Sequence, residues 1–205
     1  MLKNFKTVCG AAVLALGLGA GAAQAAFITG SISITDGLLG LPTAPSTSVV
    51  SALSGINHDG SGVSFGCTTN FVGSCPGFAT MTDWSFLGPF PNIIVINGFT
   101  FDLTGRGTIT PSALTCNAGS CSDNLLIAGL VGVVSGNGFD PTAFTGSLSL
   151  SGSCVGDAGV CTSDLSGGYT YSLSATGRNV VPEPETLLLL GVALTGLGFA
   201  RRKKS

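Results

Sequence analysis

Lysine is missing from the interior of this chain: Lys3 and Lys6 open it, Arg201, Arg202, Lys203 and Lys204 close it, and Arg106 and Arg178 are the cations between. Every aspartate, from Asp36 to Asp164, lies in that same interior, so an acidic body is hidden behind a net charge of −2. A lysine-free acidic body lacks the electrostatic footprint of a nucleic-acid binder, and no nucleic-acid partner is expected. Histidine is almost absent as well. His58 is the single one, so a hydrolase triad or histidine zinc site would have to use it. Its setting, Asn57-His58-Asp59-Gly60, reads as a turn. No serine nucleophile elbow is expected, and export leaves no lysine for a Ser–Lys pair. Gly105-Arg106-Gly107 lacks the helix and Lys-Ser/Thr of a phosphate loop. Asp157 and Asp164 fall in no EF-hand or nonapeptide calcium spacing. No metal or other cofactor, and no catalytic residue, is expected.

The basic ends are a matter of topology. Lys3 and Lys6 precede a short apolar run over residues 11–20, and Ala23-Gln24-Ala25 supplies an A-x-A site. That order is a secretory signal peptide over 1–25, with Ala23 and Ala25 flanking the cut and Ala26 starting the mature chain. The partners implied are the Sec translocon and signal peptidase. A lipoprotein is excluded, because Cys9 precedes the apolar core instead of following it.

Loss of Cys9 leaves Cys67, Cys75, Cys116, Cys121, Cys154 and Cys161, an even set suited to an oxidising compartment. Sequential pairing is favoured among the connectivities that six cysteines allow. Each closure of so short a loop would contribute about 2–3 kcal/mol. A metal site is the rival, but only Cys116 and Cys121 have a ligand-like spacing, and there is no histidine set to complete it. Their glycine-containing sequences predict that the couples bracket loops, not strands.

Between the ends, apolar residues alternate with Ser, Thr and Asp. Phe78, Thr80, Thr82, Trp84 and Phe86 share one parity; Phe99, Phe101 and Leu103 another; so do Leu148 and Leu150, and Tyr169, Tyr171, Leu173 and Ala175. Period two predicts strands with one buried face. Residues 93–96 and 125–134 read as more deeply buried strands. Asn97-Gly98 predicts a tight hairpin, since both residues tolerate positive φ. Further strands are predicted at 27–34 and 108–109, and a loop at 37–52. The expected fold class is all-β: an antiparallel β-sandwich or jelly-roll-like body over 26–178, with a β-solenoid as the alternative.

The end of the chain has three ordered parts. Pro182-Glu183-Pro184 blocks helix extension backward. Residues 187–200 are apolar but for Thr195, and Arg201, Arg202, Lys203 and Lys204 form a basic stop. The positive-inside rule puts such a stop in the cytoplasm and the body across the membrane. Fourteen helical residues would reach about 21 Å, against a hydrocarbon core of about 30 Å, a gap that snorkelling, local thinning or a helix from Glu185 would narrow. The segment VPEPETLLLLGVALTGLGFARRKKS, residues 181–205 of a tail placed at 179–205, resembles the PEP-CTERM sorting signal. That resemblance implies processing by exosortase, an integral-membrane cysteine-dependent sorting enzyme of Gram-negative exopolysaccharide producers. Pro182, Glu183 and Pro184 would be its recognition residues. The strand at 98–104 and the turn at 138–142 also resemble passengers of this class.

The expectation is therefore a non-catalytic structural protein of the cell surface or extracellular matrix. A single C-terminal transmembrane helix would hold it in the inner membrane before processing. A carbohydrate-binding module for exopolysaccharide is the alternative, using Trp84 or Tyr169 and Tyr171 as exposed rings. An enzyme would need His58 beside an acid and a nucleophile in one cleft.

Overall fold

Alternation of apolar and hydroxyl side chains produces strand over most of residues 25–177, the residues that the computed structural model describes. Ala23, the sorting motif Pro182, Glu183 and Pro184, the apolar segment and Arg201, Arg202, Lys203 and Lys204 lie outside the described residues; Ala25 is the first of them. Among the described residues, no helix is long and apolar enough to cross a membrane.

Those residues form β1 (Thr29–Gly37), β2 (Gly55–Ile56), β3 (Ser61–Phe65), β4 (Gly77–Met81), β5 (Trp84–Ser85) and β6 (Asn92–Ile96). There follow β7 (Phe99–Gly105), β8 (Ile109–Pro111), β9 (Thr115–Asn117), β10 (Ser120–Gly136), β11 (Phe139–Asp157) and β12 (Val160–Thr176). A 3-10 turn at Thr69–Ser74 joins β3 to β4.

The expected sandwich is instead a closed barrel. Strands β1, β3, β4, β6, β7, β10, β11 and β12 pair antiparallel in chain order, and β12 returns to β1 from Thr29↔Thr176 to Gly37↔Gly168. First and last strands thus cover each other's edges, which a sandwich would leave open. Alternation could not separate the two folds, because both bury every second residue. β10, β11 and β12 run on past the barrel as a three-stranded extension, flanked by β8 and β9.

Hairpin chemistry explains the meander. Asn97 and Gly98 both take positive φ, as the Asn-Gly pair predicts, and Asn137 and Gly138 do the same. β10 bends at register shifts between Ala128 and Leu130 and between Val131 and Gly132. At Gly132 the backbone approach is close: a Cβ there would overlap the Asp102 carbonyl oxygen and the Phe144 ring.

The barrel interior is filled by side chains, among them Ile32, Ile34, Phe101, Leu103, Ile127, Leu130, Phe144, Leu148, Tyr171 and Leu173. Each such apolar side chain contributes about 2 kcal/mol on burial. Phe71, from the 3-10 turn, plugs one end against Phe99 and Phe101, with ring centroids 5.0 and 5.6 Å away.

Two strand readings change. Residues 78–86 are not one strand: Phe78 and Thr80 face outward while Ala79 and Met81 are buried, and the buried parity resets at Trp84. The chain turns at Thr82-Asp83, so parity cannot carry through. Residues 125–134 are buried on one face only, with Leu126 and Val131 exposed. A barrel strand has a solvent face even where its sequence is wholly apolar.

Candidate functional site

At the end opposite Phe71, the single histidine is buried. It lies in the loop between β2 and β3, as its turn sequence suggested, and that loop buries it. The segment before β3 folds inward because Asp83 accepts the His58 backbone N–H at 2.7 Å. The imidazole lies edge-on to Tyr169, with ring centroids 4.8 Å apart, and its Nε2 is 3.3 Å from Tyr171 Oη. Tyr171 Oη also accepts Trp84 Nε1–H at 2.7 Å. With that bond formed, the phenol proton is available to His58 Nε2, an arrangement that goes with the imidazole proton on Nδ1. Nδ1 faces Asp83 Oδ1 at 3.6 Å, too far for a hydrogen bond.

Burial sets the protonation states. Desolvation lowers the His58 pKa, and the Asp83 charge beside it offsets this in part. Desolvation raises the Tyr169 and Tyr171 phenols well above their ordinary value. Near neutral pH the group is a neutral imidazole between neutral phenols.

Asp83, His58 and Tyr171 stand in the order of an acid–base–hydroxyl relay, but the hydroxyl is fully buried and both its hydrogen bonds are internal. An open cleft of about 480 Å³ lies alongside, reached by Asp83 and lined also by Leu39, Asn57 and Ser85. Trp84, Tyr169 and Tyr171, expected as exposed sugar-stacking rings, are all buried: the tyrosines because their parity on β12 faces the barrel interior, and Trp84, on β5 outside the barrel, in its bond to Tyr171. Among the described residues, no cluster of three or more His, Cys, Asp or Glu could hold a metal ion.

One serine pattern escaped the sequence reading. Gly62-Val63-Ser64-Phe65-Gly66 has the G-x-S-x-G spacing. The structure puts Ser64 inside β3, buried, with its hydroxyl donating to the carbonyl oxygens of Ser74 and Gly77. A nucleophile elbow needs a strand-to-helix turn, and this serine sits mid-strand.

Asp123 was also missed. It is buried on β10, where its carboxylate accepts Ser48 Oγ–H at 2.9 Å and the N–H groups of Val49, Val50 and Ser51 at 3.0 Å each. Burial pushes its pKa up, but hydrogen bonds from Ser51, Val50 and Ser48 outweigh that and the net shift is downward. The loop predicted at 37–52 is thereby pinned over the extension, with Val49 and Val50 buried.

The disulfides join Cys67 to Cys75, Cys116 to Cys121 and Cys154 to Cys161. Only the first brackets a loop. Cys116 and Cys121 are direct partners across β9 and β10, and Cys154 and Cys161 link β11 to β12 beside the Ala158-Gly159 turn. A tight hairpin brings strand ends together, which spacing alone does not reveal. Ala25 precedes β1 in the chain.

A family model of the PEP-CTERM protein-sorting motif matches residues 180–204, a segment containing Pro182, Glu183 and Pro184. No curated protein and no solved structure shows significant similarity to the chain.

Proposed function

We propose that this chain is an exported surface or extracellular-matrix protein, held in the membrane by its C-terminal tail, cut by exosortase, and carrying a non-catalytic structural body. The observation that carries the reading is the PEP-CTERM match over residues 180–204. It implies an exported, membrane-anchored chain processed for the cell surface. Support for a structural body comes from the burial of its polar groups. His58 is sealed among Tyr169, Tyr171 and Trp84, and Asp123 is spent on holding a loop. Three short-range disulfides suit a compartment with no reducing pool.

The test is the intact mass of protein recovered from cells with and without exosortase, before and after reduction. The reading expects loss of residues 1–25, a cut near Pro184 only where exosortase is present, and two hydrogens gained per bridge on reduction. An uncut, cytosolic product with free thiols would sink it.

A further inference from the structure

We infer that the barrel rim carrying Phe65, Val72 and Phe78 rests on the lipid bilayer that anchors the chain. The inference depends on the membrane-anchoring reading above and adds which face of the body meets the lipid.

Both ends of the body leave from this rim. β12 finishes at Thr176 opposite Thr29, the Gly177 N–H bonds the Ile28 carbonyl at 3.1 Å, and the Asp140 N–H bonds the Ala26 carbonyl at 3.1 Å. From Gly177 the apolar segment begins at Leu187, so the intervening backbone reaches at most about 35 Å. A barrel on so short a tether stays beside the bilayer whichever way it faces.

The rim itself is apolar where a soluble surface would be polar. Phe78 is 81% exposed, Val72 60% and Phe65 45%. The register makes them neighbours. Ser33 pairs with Phe65 and Val63 with Phe78, while the loop carrying Val72 closes over the same end through the Thr68 N–H bond to the Ser31 carbonyl. Val63 and Val95, both exposed, continue the strip up the outer wall, since on β4 Phe78 pairs with Val63 and Thr80, two residues along, pairs with Val95.

Most carboxylates lie the opposite way, with Asp102 on the wall strand β7 and Arg106, the one Lys or Arg among the described residues, bonded to the Phe86 carbonyl at the far end. Asp36, Asp59 and Asp83 lie at the far rim, and Asp123, Asp157 and Asp164 lie on the extension beyond it. Asp140 is the acidic residue of the near rim, and its backbone is tied to Ala26. An anionic lipid surface repels carboxylates and accepts exposed Phe and Val, so it favours this end of the barrel over the other. Leu87, 88% exposed, lies four residues from Asp83 at the end that also carries the half-exposed Leu39, away from the Phe65, Val72 and Phe78 rim, and serves as the control.

The test uses the full-length, unprocessed chain in nanodiscs of phosphatidylethanolamine and phosphatidylglycerol. Phe78→Trp, Val72→Trp and Leu87→Trp are compared with the parent, whose single Trp84 is buried and gives a constant background. The expected result is blue-shifted added emission from Phe78→Trp and Val72→Trp that brominated lipids quench, with Leu87→Trp at the background level. Disc-bound chains whose Phe78→Trp and Val72→Trp emission is unquenched would overturn the inference while leaving anchoring intact. A blue shift without bromolipid quenching would overturn it in favour of a second copy covering the strip. Chains that do not stay with the discs at all would remove the anchoring reading and the inference together.

Discussion

The Asp123 carboxylate on β10 accepts the backbone N–H of Val50 at 3.0 Å, across 73 residues of chain. Together with the bonds from Ser48, Val49 and Ser51, it makes one side chain the anchor of an otherwise irregular loop.

Asp123→Ala would leave three backbone donors and a hydroxyl without an acceptor under a buried roof. The expected cost is about 3–5 kcal/mol, read as a lowered urea midpoint. The carboxylate's pKa is lowered in the fold, so its stabilising contribution is complete above the unfolded value near 3.8 and is lost as pH falls through the folded one. Acid unfolding curves should therefore flatten in Asp123→Asn below pH 4 relative to the parent.

His58 titrates with the opposite group chemistry but the same sense. Burial holds its folded pKa below the ordinary histidine value of 6.5, so the unfolded chain binds the proton first as pH drops. Stability should be at its plateau above about pH 6.5 and decline below it, and His58→Gln should abolish that decline. Imidazole resonances of this single histidine followed against pH would check the direction. Asp83→Asn should lower the midpoint further, because it removes the nearest favourable charge.

Tyr171→Phe keeps the ring in the barrel and deletes one oxygen. Trp84 Nε1 then loses its acceptor and His58 Nε2 its donor. A loss of about 1–3 kcal/mol is expected in thermal or urea unfolding, together with a shifted Trp84 emission.

Phe71→Ala empties the plug between Phe99 and Phe101 and should cost about 3–5 kcal/mol. Replacing Cys67 and Cys75 by Ser frees the loop that presents that ring, at a cost of about 2–3 kcal/mol. Because both changes act on one loop, the double variant should lose less than their sum.

Much of the strand content was legible. Phe99, Phe101 and Leu103, Leu148 and Leu150, and Tyr169 to Ala175 in alternation all point inward as their parity predicts. Legibility failed where the backbone turned. Thr82-Asp83 breaks the parity between Phe78 and Trp84, so an outward Phe and an inward Trp read alike. The spacing around Ser64 carried no mark of its mid-strand place, and the turn sequence at His58 gave its loop but not its burial, since nothing local marks a loop that folds inward. Asp123 looked like one more solvating carboxylate.

The sequence by itself determined the local rules: alternation sets which residues share a face, Asn-Gly sets a turn, and the ordered tail of prolines, apolar run and basic stop sets a sorting signal. These depend on neighbours within a few residues, where covalent geometry limits the options. Only the tertiary structure decided that β12 closes on β1 and not on a second sheet, and that His58 and Asp123 are buried. It also decided that Phe65, Val72 and Phe78 share the rim from which both ends leave. Such relationships join residues far apart in the chain, and their energies come from packing and desolvation, which exist only after the barrel has closed.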